Sequence, residues 1–513
     1  PEELRVEALM SAVKAINLEA EQDRRWKQRA DVPPAWRLHE WRSLHDETLR
    51  RLVERRMDNP TVPAISPVKQ SSFQQDITSM ARQLKEDLLL VVSALKDCYP
   101  PEMDICNVYA RLFHQTFSSR ITKISDFGLD NKDCTVVLQW VNVYYPGILQ
   151  IPELAPHISI GEMGKLLSEE ALGPLEKQYL SKQQEVLASF IHRILEEAKE
   201  KWSKGEEPTS EDGCFISPVA YDIIQVKTVL RGTAVGVVFG RVALRLRRFM
   251  MGEGSSLPRS FKNFQNEIIK QNKLNSRSFV KAKLSCLEQF SEVLQNQSEL
   301  FMEDVLDECS HILADMRRSA HEYLLKPVHE ALKPQYRKIG TTEWLNNQVF
   351  EKLLMSLQQE IPVLQGSTPT SHQNLIGQMH LEVTVEYVKR LLKGELKLKD
   401  KSLQLKACET LMEDAKNLHA FFITLGSKED WLQEVLPGIA EVLKLQDLPA
   451  IQMQVAALGT TFPDLSVRHV SALLKLKTNL SRADRRKVKD LMETLNESSS
   501  DHTLPFFSLV LVK

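Results

Sequence analysis

The chain of 513 residues is too long for one hydrophobic core; its length allows roughly three or four domains and excludes a single globule. Hydrophobic residues at 42%, charged residues at 26% and only 19 glycines fit long solvated helices and exclude sandwiches and barrels, so the expected fold is all-α. A net charge of -2 excludes overall attraction to nucleic acid or acidic lipid, and any such binding needs a local patch.

Seven cysteines, Cys98, Cys106, Cys134, Cys214, Cys286, Cys309 and Cys408, are scattered and never form a C-x-x-C pair, the pattern of a reduced, cytosolic chain. No run approaches the roughly 18 to 20 apolar residues that span a bilayer, which leaves a soluble or peripheral protein. The sequence starts at Pro1, without Met and inside a helical pattern, as a truncated chain would.

In chain order, a helical pattern from Glu2 to Arg29 ends in Arg24, Arg25, Lys27 and Arg29, and Pro33-Pro34 stops it. A second helix runs from Ala35 to about Met57, followed by a connector stiffened by Pro60, Pro63 and Pro67. Phe73, Ile77, Met80, Leu84, Leu88, Val91 and Leu95 step by three or four residues, one apolar stripe on a long helix that needs a partner. Pro100-Pro101 breaks it, and a helix over about Asp104 to Lys123 returns antiparallel. Thr135 to Pro146 is apolar nearly all round at helical spacing, so it is expected to be buried and to close a first bundle, residues 1–156.

A middle domain, 157–366, opens on a charged helix from about Gly161 to Trp202, with Gly173-Pro174 as a kink point and a seam of Leu180, Leu187, Ile191, Ile194 and Ala198. Lys204 to Gly213 is polar and aperiodic, and is expected to be a mobile loop. Helices resume over Pro218 to Met251. Met302, Leu306, Cys309, Leu313, Met316, Ala320 and Tyr323 form a heptad seam whose helical neighbours favour packing within a bundle over a coiled-coil dimer, so a monomer is expected. Gly366 to Ser371 opens the last domain, 367–513, striped by Leu381, Val385, Val388 and Leu392, then by Leu403, Ala407, Leu411, Leu418 and Phe422. Hairpins of helices about 30 to 60 Å long make an elongated rod of consecutive antiparallel bundles the expected architecture.

Chemistry is conspicuous by what fails. Gly161-Glu-Met-Gly-Lys-Leu166 resembles a phosphate loop, but Ser159 stands where the first glycine belongs and Leu166 replaces the magnesium-binding hydroxyl. His321 and His329 lie two helical turns apart, too far to share a metal, and read as surface or junction histidines. Gly232, Gly236 and Gly240 have membrane-dimer spacing, yet Arg231 and Arg241 interrupt the apolar run, so tight packing in a soluble bundle is the reading. No cofactor and no enzymatic activity are expected.

The surfaces are more informative. Ser481-Arg-Ala-Asp484 resembles a capping box opening a helix whose core face is Val488, Leu491, Met492 and Leu495. Arg482, Arg485, Arg486 and Lys489 then share an arc of roughly 100° beside that face. Arg468, Lys475 and Lys477 extend the strip if the preceding helix packs as a hairpin. Such a strip suits an acidic protein surface or anionic lipid, and equally a solvated face. Lys393, Lys397, Lys399 and Lys401 form a looser basic connector, read as solvated. Arg241, Arg245 and Arg248 oppose Val242, Leu246, Phe249 and Met250 on a helix expected to bury its apolar side, and the tail Leu504 to Val512 is expected to dock in a groove.

Asn107-Val108-Tyr109, Phe113-His114, Trp140-Val141 through Tyr144-Tyr145-Pro146, and Ser260 to Phe264 together resemble the exocyst complex component 3 family of vesicle tethers. The resemblance implies a rod of stacked helical bundles linking vesicles to the plasma membrane and no catalytic site. Its implied partners are a Ral-family small GTPase, exocyst subunits and acidic phospholipid, with no nucleic acid. Some members are associated with actin-rich protrusions and tunnelling nanotubes. A different reading of the same helices is a curved solenoid whose concave face grips peptides of cargo or cytoskeleton.

Overall fold

The computed structural model describes residues 6–29, 40–61, 71–126, 128–225, 256–296, 303–346, 348–393, 395–496 and 505–512. The expectations for Pro33-Pro34, Pro63, Pro67, the glycine repeat at Gly232 to Gly240, the Arg241 to Arg248 helix, Met302 and Leu504 lie outside these residues, as does the Leu495 side chain. The described residues form two compact units, one ending at Phe190 and the other beginning at Ile191. Both are helical, and the all-α expectation holds apart from one short hairpin.

The first unit contains α1 (Val6–Arg29), α2 (Trp41–Asp58), α3 (Ser72–Leu90), α4 (Ile105–Ser125), α5 (Asn131–Gln139), α6 (Tyr145–Leu149) and α7 (Ile160–Met163). The apolar stripe of α3 buries Ile77, Leu84 and Leu88, and its partners include Phe113, Phe117 and Ile121 of α4 and Val137 of α5 in one continuous core. Arg56 of α2 clamps the buried Asp87 of α3 with two hydrogen bonds of 2.6 Å.

The stretch Thr135 to Pro146 is buried on one face only: Val137, Leu138, Val141 and Tyr145 are inside, while Tyr144 is 49% exposed. Its backbone widens into a π turn at Trp140–Tyr144 between α5 and α6. Pro146, one residue beyond Tyr145, has no N–H to return to the preceding turn, which accounts for the break in the α pattern. Tyr145 Oη lies 2.8 Å from His114 Nδ1, and both Tyr145 and Trp140 pack on Phe117, so the two motif segments meet side by side.

The unit boundary falls inside α8 (Glu169–Ser203). This helix starts later than its charge pattern implied, because Gly164 sits at φ +73 and ends the short α7. Leu166, in the phosphate-loop-like segment, is buried.

In the second unit, the segment expected to be a loop folds into a hairpin, β1 (Thr209–Glu211) against β2 (Cys214–Ile216). Asp212 and Gly213 both take positive φ, the turn that an Asp-Gly pair favours. Phe215 N–H donates to Gly366 O at 2.8 Å, and a Cβ on Gly366 would meet the Phe215 ring at 3.1 Å.

The remaining helices among the described residues include α9 (Ser256–Gln271), α10 (Ser276–Asn296), α11 (Glu303–Tyr336), α12 (Thr342–Asn346), α13 (Val349–Leu364), α14 (Pro369–Leu392), α15 (Lys401–Thr424), α16 (Val435–Lys444), α17 (Leu448–Thr461), α18 (Val467–Leu476) and α19 (Arg482–Asn496). The heptad seam of α11 packs within the chain, on α9, α10, α13 and α14. Cys309, Met316 and Ala320 of that seam are buried. The turn after α11 needs Gly340: it has φ +72, and a Cβ there would stand 2.9 Å from Arg390 O and 3.0 Å from Leu391 Cα at the end of α14. The tail docks as expected, with Phe506, Phe507 and Val510 buried against Trp431, Phe462 and His469.

Two buried lysines finish helices. Lys281 Nζ donates to Val363 O and Gln365 O at the end of α13, and Lys477 Nζ donates to Leu443 O and Leu445 O at the end of α16. The last carbonyls of a helix have no partner within it and carry partial negative charge, so an ammonium there satisfies both needs.

Candidate docking surface

Helix α19 opens as its sequence implies. Asp484 N–H donates to Ser481 Oγ at 3.1 Å, and the Ser481 hydroxyl donates to the Asp484 carboxylate at 2.7 Å. Val488 and Met492 are buried, and α19 packs on α17 and α18. The fit to α17 is close: a Cβ on Gly459 would stand 3.1 Å from Met492 Cε.

This packing leaves Arg482 and Arg486 exposed and Lys489 half-buried on one flank. Arg468 and Lys475 are exposed on α18, two turns apart. Among the described residues none of these five is ion-paired, unlike Lys444 or Lys389, which hold carboxylates. Five cations held in no ion pair create a local positive field on a chain of net charge -2.

Two members of the expected strip are placed differently. Lys477 is 0% exposed and is removed from the surface. Its ammonium donates to Gln404 Oε1 at 2.8 Å as well as to the α16 carbonyls, and burial pushes its pKa down to about 8. Arg485 is half-buried and donates through Nη2 to Lys477 O at 2.8 Å, tying α19 to the junction rather than facing outward. Helix spacing places a residue on a flank, but the neighbouring α16 terminus decided where Lys477 went.

The basic connector is more ordered than its charge implies. Leu398 N–H donates to Leu476 O at 2.9 Å, Thr478 N–H donates to Leu398 O at 3.4 Å, and Leu398 and Lys477 form a parallel bridge. Gln404 Nε2 then reaches Asn479 Oδ1 at 2.9 Å. Leu396 and Leu398 are buried while Lys397 and Lys399 are exposed, a period of two that was visible in Glu-Leu-Lys-Leu-Lys.

A groove of about 690 Å³ between α11 and α14 holds His329, Tyr336, Leu381, Glu382, Val385 and Leu509. Within it His329 Nε2 lies 2.7 Å from Glu382 Oε2, and Glu386 binds Lys389 and Arg390, each at 2.7 Å. His321 is buried, and burial lowers its pKa to about 4. Among the described residues no group of three or more His, Cys, Asp or Glu converges as a metal site. No helix among them is long and apolar enough to cross a membrane.

The described residues form a helical protein that presents a positively charged face without ion pairs. The sequence matches Exocyst complex component Sec6 over residues 2–229 and 270–482, and the chain belongs to this family. It is 29% identical to Tumor necrosis factor alpha-induced protein 2 of Mus musculus over 503 residues, covering 97% of this chain and 70% of that protein. Exocyst complex component 3-like protein of Homo sapiens is 23% identical over 497 residues, covering 93% of this chain and 65% of that protein. The crystal structure of M-Sec superposes with a TM-score of 0.79 at 26% identity, covering 100% of this chain and 88% of that one. The C-terminal domain of the exocyst subunit Sec6p shares the fold, with a TM-score of 0.56 at 11% identity over 67% of this chain and 98% of that one. The protein is thus an exocyst-like tethering scaffold of the Sec6 family.

Proposed function

We propose that this scaffold holds a GTP-loaded Ral-type small GTPase and acidic plasma-membrane lipid, acting peripherally at that membrane in exocytosis-related remodelling and in the growth of protrusions such as tunnelling nanotubes. Other exocyst subunits are further partners on this reading, which rests on membership of the Sec6 family. The observation that carries it is the unpaired flank of Arg482, Arg486 and Lys489, extended by Arg468 and Lys475. Several weak charge contacts on one stiff support act together through effective concentration when their spacing matches the partner.

The test reverses Arg482, Arg486 and Lys489 to glutamate and measures capture of GTP-loaded Ral and sedimentation with phosphoinositide vesicles. The reading expects one or both to fall at least tenfold, with a steeper salt dependence in the wild type. Unchanged binding in both retires it.

A further inference from the structure

Two basic runs far apart in sequence come together in the fold. The bridge between Leu398 and Lys477 sets the extended segment of Lys397 and Lys399 against the α18–α19 junction. Because Leu398 and Lys477 both point inward, Lys397 and Lys399 project outward, spaced by about 6.6 Å as alternate residues of a strand. The second tie, Gln404 to Asn479, brings the start of α15, with exposed Lys401, beside the start of α19, with exposed Arg482. Arg485, clasping Lys477 O, fixes α19 to the same point.

We infer that Lys397, Lys399 and Lys401 together with Lys475, Arg482 and Arg486 form one composite platform that docks onto an anionic membrane surface. This rests on the reading of the α19 flank as a docking strip and extends it with a second, sequence-remote wall.

The chemistry of the patch selects lipid over protein. Protein interfaces are depleted in lysine and centred on buried aromatic or arginine anchors. Here lysines supply four of the six charges, and no large apolar side chain is exposed in either run among the described residues. Clustered lysines that sit at an interface without inserting are the signature of electrostatic attachment to anionic headgroups. The carboxylates nearby are largely engaged: Asp400 accepts from Leu403 N–H, Asp484 from the Ser481 hydroxyl, and Glu395 pairs with Lys393, leaving Asp490 exposed.

The experiment sediments the full chain with vesicles of phosphatidylcholine alone and of phosphatidylcholine carrying phosphatidylserine or phosphatidylinositol bisphosphate. Three double variants are compared: Lys397→Glu with Lys399→Glu, Arg482→Glu with Arg486→Glu, and Lys416→Glu with Lys428→Glu as an exposed control of equal charge change. The wild type and the control bind both anionic vesicles and ignore pure phosphatidylcholine. The first two variants each lose about 20-fold or more, since each lysine near such a surface is worth roughly fivefold. If the Lys397/Lys399 variant binds like wild type while the Arg482/Arg486 variant fails, the composite platform is overturned and the strip survives. If neither variant changes, both are overturned. If the wild type ignores every vesicle yet captures GTP-loaded Ral, the surface belongs to a protein partner and the membrane inference is overturned alone.

Discussion

Tyr387 donates its hydroxyl to Asp414 Oδ2 at 2.6 Å, and Trp344 Nε1 donates to the same oxygen at 2.8 Å, inside the bundle of α12, α14 and α15. Burial lifts the Asp414 pKa to about 6 even though both donors oppose it. A carboxyl raised on folding adds stability that is full below its unfolded pKa of about 4 and is lost as pH rises through 6. Above pH 6 the buried charge therefore relies on its two donors. Tyr387→Phe is expected to cost about 1.5–3 kcal/mol at pH 7.5 and less at pH 5, read from urea unfolding at both. Equal losses at the two pH values would contradict this account.

Lys283 makes the opposite case. Its ammonium is buried with no hydrogen-bond acceptor, 3.7 Å from the centre of the Phe261 ring and 4.2 Å from that of Phe264, and burial lowers its pKa to about 7. A depressed lysine gives stability above its unfolded pKa and withdraws it as pH falls through the folded value. Lys283→Met keeps the stem and removes the charge, so it is expected to stabilise by about 1–4 kcal/mol. Thermal melts should show a larger gain at pH 6 than at pH 9.

Lys477 joins three acceptors from two elements, and losing it orphans the Leu443 and Leu445 carbonyls, while Gln404 Oε1 keeps its bond from Gln446 Nε2. Lys477→Met is expected to cost about 3–5 kcal/mol in denaturant unfolding. Hydrogen exchange gives a local check: the amides of Leu398 and Thr478, which pair across this junction, should lose protection before the amides of α14 do.

His380 stacks on Phe422 at 4.6 Å and faces His419 and the Ser427 hydroxyl. Burial, and then His419, lowers its pKa to about 3, so its contribution is present above about pH 6.5 and lost as pH falls. His321 has the same sign, whereas Asp414 works against both between pH 6 and 4. His380→Gln retains a partner for Ser427 and should flatten the fall in melting temperature from pH 7 to pH 5. An unchanged slope would show that His380 is not responsible.

Helix order was legible because apolar side chains at three- and four-residue steps leave little choice of buried face, as the stripe Ile77, Leu84, Leu88 and the seam Cys309, Met316, Ala320 show. The cap at Ser481 was equally local. What escaped was decided by neighbours remote in sequence. Lys477 is in phase with the buried Val470, Leu473 and Leu474 of α18, but a lysine at such a position reads as a surface residue until the free carbonyls of α16 are seen within its reach. The hairpin over 209–216 carried an Asp-Gly signal, but strands of three residues rise little above a loop, and its anchor is Gly366. Lys397 and Lys399 read as a solvated basic connector because their alternation with leucine spans only four residues.

Gly340 touches neither basic run, yet it abuts the end of the helix that leads into one of them. Any side chain there must push against the backbone at Arg390 and Leu391, only a few residues before the lysine-bearing segment begins. Saturation mutagenesis read out by thermal stability should therefore recover glycine almost alone at this codon, since every other residue must displace the backbone that leads out of α14.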